Sequence, residues 1–262
     1  MQLIRIQETL ITICTATGEG EMNMRPLKLL PVGPCLLVAL TFGASCGYAP
    51  GEAATEALES DGEVTVTIEQ KWITFSPQEQ RFQTGFVFYP GGNVQAESYA
   101  PVLRKLAEEG VSAFLLVAPL NLAIFDTDAA VEVMEATAFD QWIVSGHSLG
   151  GVAAASIAAE DDRVRGLSLW ASYPSGSVDL SSSSLMVHSL AGTRDEVLNR
   201  ENWEASEAQL PADTQWITLE GGNHAQFGDY GPQLGDGEAT ITPEEQWEQT
   251  LTSVYSLMTA LE

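Results

Sequence analysis

Cleaving an acyl–oxygen bond without a metal needs a side chain to attack the carbonyl, an imidazole to take its proton, and a carboxylate to hold the imidazole. The run Gly146-His147-Ser148-Leu149-Gly150-Gly151 offers the first of these. It fits G-x-S-x-G and lies where that pattern has mechanical meaning, between the apolar run FDQWIVS and the alanine-rich run VAAASIAAE. Glycine on both flanks lets the residues two before and two after Ser148 approach closely in a strained turn. Such a turn projects the serine hydroxyl and aims the amino end of the following helix at an oxyanion beside it.

A serine hydroxyl is a weak nucleophile without a base, and the chain has three histidines. His147 is inside the turn, and His188 lies within the apolar run LMVHSL, where it reads as a core residue. His224, in LEGGNHAQFGDYG, follows the last predicted strand in a loop loosened by Gly221 and Gly222, so it is the residue placed to act as base. Asp195, in AGTRDEV, occupies the preceding strand-end loop and is the candidate acid, with its neighbour Glu196 as runner-up; a helix cap is the structural alternative for Asp195. For the oxyanion, the amide of Leu149 is one candidate donor. The second falls in Pro90-Gly91-Gly92-Asn93, with Gly92 preferred and Asn93 next.

These residues have to be held by something, and the rest of the chain alternates between strand and helix patterns. EVTVTIEQ and KWITFSP read as antiparallel opening strands, and TGFVFYP, SAFLLVA, FDQWIVS, VRGLSLWAS, SLMVHSLAG and TQWITLEG as further strands. Between and after them, ESYAPVLRKLAEEG, DTDAAVEVMEAT, GGVAAASIAAE, RENWEASEAQL and TPEEQWEQTLTSVYSLMTAL carry helical periods. The alternation predicts an α/β fold with a mostly parallel sheet of about seven or eight strands, covered by helices on both faces, in one domain over residues 63–262. Reactive groups in such a sheet sit on loops at the carboxyl ends of the strands.

The amino-terminal region reads differently. Residues 1–45 form an expected export signal: Arg25 and Lys28 precede a short apolar run ending near Phe42, too broken by Pro31, Gly33 and Pro34 to span a membrane. Residues 1–23 before Met24 are an expected upstream-start extension, and residues 46–62 a flexible acidic tether. The stretch Phe42-Gly43-Ala44-Ser45-Cys46 is similar to a bacterial lipobox, which implies lipidation at Cys46; Gly43 departs from that pattern, and a plain secretory signal is the alternative. Membrane contact is expected only through such an anchor.

The 36 acidic and 11 basic residues give a formal net charge of -25, which opposes a nucleic-acid partner. Removing residues 1–45 takes three of each sign and leaves that charge unchanged. An acidic surface of this kind favours solubility, and tolerance of salt is a second reading of it.

Taken together, YPGGN at 89–93, GHSLGG at 146–151, GTRDEV at 192–197 and EGGNHAQFGDYG at 220–231 resemble the α/β-hydrolase fold superfamily, and within it the compact, lidless serine hydrolases related to dienelactone hydrolases. The resemblance covers roughly residues 63–262. It implies a carboxylesterase-like enzyme that takes a small-molecule ester through an acyl-enzyme on Ser148, His224 and Asp195, with no metal or organic cofactor. Dienelactone hydrolases proper carry cysteine where this chain has Ser148, so their lactone specificity does not carry over. The short link after Tyr173 leaves no room for a helical cap, and an open pocket is expected, walled by Asn93, Asn121, Phe125, Tyr173 and Phe227. Lactone, amide or thioester hydrolysis and perhydrolysis are alternative uses of the same groups, and an inactive ligand-binding lipoprotein is the alternative from another class.

Overall fold

The apolar runs pair into one eight-stranded sheet in the computed structural model, which describes residues 47–262. In chain order the strands are β1 Val64–Ile68, β2 Trp72–Pro77, β3 Thr84–Tyr89, β4 Ala113–Leu116, β5 Gln141–His147, β6 Val164–Trp170, β7 Met186–Gly192 and β8 Gln215–Leu219. They lie side by side as β1-β2-β4-β3-β5-β6-β7-β8. The first two strands run antiparallel to each other, β2 pairs antiparallel with β4, and every pair from β4 to β8 is parallel.

The helices are α1 Glu52–Glu56, α2 Ala100–Glu108, α3 Ala129–Ala136, α4 Leu149–Glu160, α5 Arg200–Ala205 and α6 Pro243–Leu261. One apolar layer gathers Val102, Leu103 and Leu106 of α2 with Trp247, Leu251, Val254 and Leu257 of α6 beneath Phe75, Phe86 and Phe88. The other gathers Ala130 and Val133 of α3 with Ala153, Ala154 and Ile157 of α4 beneath Val87, Trp142, Val144 and Leu167. Covered on both faces, β3 buries all six of its residues, which is why TGFVFY reads as an unbroken apolar run rather than an alternation. The α6 start is set by its sequence: Thr242 accepts from the Glu245 amide, the Glu245 carboxylate accepts from the Thr242 amide, and Pro243 fits the first turn. Between β6 and β7 the residues from Ala171 to Leu185 form turns and no helix, so no cap covers the carboxyl edge.

Two expectations need correction. The tether expected over residues 46–62 is packed chain from Gly47 onward: Tyr48 bridges Val94, and the Gly51 amide donates to the Asp229 carbonyl at 2.8 Å. Ala54 in α1 is fully buried, with its amide 2.8 Å from Asp229 Oδ2. Arg104 of α2 donates to the carbonyls of Ala57 and Glu59. Small residues at helical spacing, which look featureless as sequence, let α1 lie close against α2. In addition, the helix expected over ESYAPVLRKLAEEG begins as a tight turn over Ala96–Tyr99 before α2, and that over RENWEASEAQL ends in a similar turn over Ser206–Gln209. The export signal, the upstream extension and Cys46 lie outside the described residues. Among the described residues no helix is long and apolar enough to cross a membrane.

Candidate active site

From β3 the chain crosses to β4 on one side and later reaches β5 on the other, so a crevice opens above the carboxyl ends of β3 and β5. Ser148 stands there, between the end of β5 and the start of α4, with φ 51° and ψ -121°. A non-glycine residue in that conformation costs on the order of 1–3 kcal/mol and persists only where its surroundings over-determine it. Here the Ser148 amide donates to the Trp170 carbonyl at 2.9 Å, and the Ser172 hydroxyl donates to the Ser148 carbonyl at 2.6 Å. A side chain on Gly146 would strike the Gly150 backbone, and one on Gly150 would strike the Tyr89 and Pro90 carbonyls. The two glycines are therefore required by backbone contact.

Asp195 and His224 come together from the loops after β7 and β8. His224 Nδ1 lies 2.9 Å from Asp195 Oδ2, with both side chains buried. The other Asp195 oxygen accepts the amides of Val197 and Leu198 at 2.9 and 2.8 Å, which fixes the carboxylate in place. Glu196 is exposed, its side chain outside this contact. Gln246 of α6 grips the backbone just before His224, accepting from the Asn223 amide and donating to the Asn223 carbonyl, both at 2.9 Å. With Nδ1 engaged, His224 Nε2 is buried without a hydrogen-bond partner among the described residues. Ser148 and His224 line one cavity of about 220 Å³.

The loop after β3 supplies amides. That of Gly91 donates to the Tyr99 hydroxyl at 3.0 Å and that of Asn93 to the Asn121 carbonyl at 2.8 Å. The Gly92 amide makes no such bond among the described residues, and neither does that of Leu149, the first residue of α4. A side chain added at Gly92 would meet Leu149 Cδ2 at 3.1 Å, so these two residues sit side by side.

Sequence reasoning missed the arrangement behind this loop. Tyr99 Oη lies 2.8 Å from His147 Nδ1. The Tyr99 hydroxyl, which also accepts the Gly91 amide at 3.0 Å, thus ties the glycine loop to the His147 ring. Burial, then the facing His224, holds the His147 pKa well below its ordinary value. Burial pushes the Tyr99 hydroxyl pKa up, so both groups stay neutral. The rings of His147 and His224 are 4.4 Å apart. A tyrosine seven residues beyond the glycine pair carries no local signal for this role.

Of the five residues expected to wall the pocket, Tyr173 lines the Ser148 cavity, together with Val152, Ala171, Val197, Leu198 and Asn199. Phe227 does not: it is 1% exposed and packs on Trp170 and His147, because the turn after His224 points inward. Asn93, Asn121 and Phe125 also fall outside the cavity lining; Asn93 and Asn121 take positive φ in a backbone contact, and Phe125 faces solvent. Val197 and Leu198, on the acid's own loop, supply walls that loop position alone did not indicate. His188 bonds Ser253 of α6 at 2.9 Å as a core residue. Among the described residues no cluster of three or more histidine, cysteine or acidic side chains is arranged to hold a metal.

The model of the alpha/beta hydrolase family matches residues 85–248. No curated protein matches the sequence. Solved structures share the fold. A predicted CIB-like hydrolase from Thermoplasma acidophilum is 13% identical with a TM-score of 0.58, over 74% of this chain and 99% of that one. An alpha/beta hydrolase from the sediment metagenome of the Mar Chica lagoon, Morocco, is 16% identical with a TM-score of 0.55, over 73% and 98%. A thermophilic esterase from the planctomycete Thermogutta terrifontis is 16% identical with a TM-score of 0.52, over 81% and 94%.

Proposed function

Because the chain belongs to the alpha/beta hydrolase family, we propose that it is a serine hydrolase of small to medium carboxylic esters, working through an acyl-enzyme on Ser148. The observation that carries this reading is the 2.9 Å contact between His224 Nδ1 and Asp195 Oδ2, which leaves Nε2 unpartnered beside the cavity that Ser148 lines.

In the first half-reaction His224 Nε2 takes the Ser148 proton as Oγ adds to the ester carbonyl. The two unengaged amides, Leu149 and Gly92, receive the oxyanion, and Asp195 stabilises the imidazolium without taking a proton. His224 then protonates the leaving alcohol. In the second half-reaction the same imidazole deprotonates a water that attacks the acyl-enzyme, and the acid leaves as Ser148 regains its proton. The chain's own groups carry every step. A cavity of about 220 Å³ walled by Val152, Val197 and Leu198 suits a short, apolar acyl group.

The amino-terminal pattern supports an exported protein tethered through a lipid on Cys46. The reading is tested by fluorophosphonate labelling followed by peptide mapping, alongside turnover of p-nitrophenyl esters of increasing acyl length. Labelling at Ser148 with turnover falling beyond short acyl chains is the expected result. A folded protein that takes no label and turns over no ester overturns it and leaves a binding role.

A further inference from the structure

Of the seven large apolar side chains that face solvent among the described residues, three share one loop. Leu120, Ile124 and Phe125, exposed by 78%, 49% and 60%, stand within one six-residue stretch after β4, and Leu234 is exposed by 93%. Leu120 and Asn121 both take positive φ, at 54° and 56°. The loop thus accepts backbone strain while presenting Leu120 outward, the reverse of what burial would reward.

This loop is joined to the candidate catalytic crevice. The Asn121 carbonyl accepts from the Asn93 amide, and Leu122 Cδ2 lies 3.6 Å from where a side chain on Gly92 would begin. The same place is where the described chain starts. A side chain on Gly47 would meet Asn121 Nδ2 at 2.7 Å, the Tyr48 amide donates to the Asn93 carbonyl at 2.8 Å, and the Leu234 amide donates to the Tyr48 hydroxyl at 3.1 Å. Leu120, next to Asn121, and Leu234 therefore stand near Gly47 and Tyr48, and Gly47 is bonded to Cys46. In sequence the segment before Gly47 carries the apolar run ending near Phe42 and then Cys46.

We propose that Leu120, Ile124, Phe125 and Leu234 dock this face on a lipid bilayer, with the crevice opening toward the membrane from which it takes its acyl substrate. The substrate half of the inference rests on the ester-hydrolase reading above; the docking half does not. A net charge of -25 selects a zwitterionic surface over an anionic one, because apolar insertion here has to act without help from lysines.

The test uses the full chain. Phe125→Trp places a fluorophore on the loop, read against wild type in phosphatidylcholine vesicles with brominated acyl chains, in both the active protein and the Ser148→Ala form. Added emission that shifts to the blue and is quenched by the bromines is expected, and it weakens when phosphatidylglycerol is mixed in. Leu120→Asn, Ile124→Ser and Leu234→Ser combined are expected to lower hydrolysis of hexadecyl butyrate, a short-acyl ester carried in the vesicles by its alcohol chain, by roughly tenfold or more, and to leave soluble p-nitrophenyl acetate within about twofold. Absence of quenching overturns the proposal, as does a dimer that the triple variant splits, since a second copy would then cover the patch. Quenching without turnover of any ester keeps the docking face and removes the ester-hydrolase reading.

Discussion

Around the crevice, the loops after β7 and β8 and the loops after β3 and β4 are built on opposite terms. On the first side the framework around the base is pinned: Asp195 takes two amides and an imidazole, and Gln246 clamps Asn223 from both directions, while His224 Nε2 has no partner among the described residues. On the second side Asn93, Leu120 and Asn121 sit in left-handed backbone, Leu120 and Phe125 face solvent, and the Gly92 amide makes no backbone hydrogen bond among the described residues. The difference separates two tasks. Placing a base relative to a nucleophile demands rigidity, and hydrogen bonds with no slack provide it. Meeting an oxyanion or a surface demands groups left unsatisfied by the protein itself, and the cost of leaving them so marks where something else is to bind.

Substitutions on the rigid side should have the larger effects. Ser148→Ala is expected to lower ester turnover on the order of 10⁴-fold or more while the thermal transition stays in place; residual turnover near wild type would move the nucleophile elsewhere. Asp195→Asn is expected to cost on the order of 10³–10⁴-fold in kcat with a smaller change in KM, because the His224 tautomer is lost. Glu196→Gln, on the exposed neighbour, is expected to change kcat by less than about twofold. If the two acid variants behave alike, the side that looks rigid is not what sets the base.

Tyr99→Phe probes the joint between the two sides. It leaves the Gly91 amide and His147 Nδ1 without their shared partner, at about 1–3 kcal/mol of desolvation. If part of that reaches the oxyanion loop, kcat falls by about tenfold with KM held, since 1.4 kcal/mol is a factor of ten. Unchanged kcat in a destabilised protein would confine the hydroxyl to folding.

The smallest effect concerns pH and stability. His147 is buried neutral with a folded pKa well below its ordinary 6.5. Below that value the unfolded chain binds a proton that the folded chain does not, so this contribution is complete above about pH 7 and is lost as pH falls toward 5. His188, lowered by burial, adds to the same slope. Urea unfolding of wild type and His147→Asn across that range should show a shallower slope in the variant. Identical slopes would place the proton uptake at other groups.

Much of the fold is legible in the sequence. The strand and helix periods mark the elements, because burial on one face or both imposes period and composition locally. G-x-S-x-G at a strand-to-helix junction proposes Ser148, chain order proposes Asp195 and His224, and the fold brings Asp195 to His224 and sets His224 and Ser148 along one cavity. Pocket walls were not legible in the same way: Phe227 proved to be core, while Val197 and Leu198 line the cavity. An aromatic on a loop carries no mark of which way the loop turns. Residues 47–62 looked like linker because small and acidic residues have weak periods, yet α1 packs against α2 through alanines.

The sequence by itself determined the chemistry on offer: a serine in a turn only glycine flanks permit, and an aspartate and a histidine on strand-end loops in a workable order. Only the folded chain decided which amides remain unengaged among the described residues: Asn93 gives its own to Asn121 in the loop after β4, and the turn over Ala96–Tyr99 brings the Tyr99 hydroxyl back to Gly91. It alone brought Gly47 beside the exposed loop after β4. The physical reason is range. Periodicity records what each residue meets within its own element, whereas donor vacancy and surface juxtaposition depend on contacts between segments far apart in the chain.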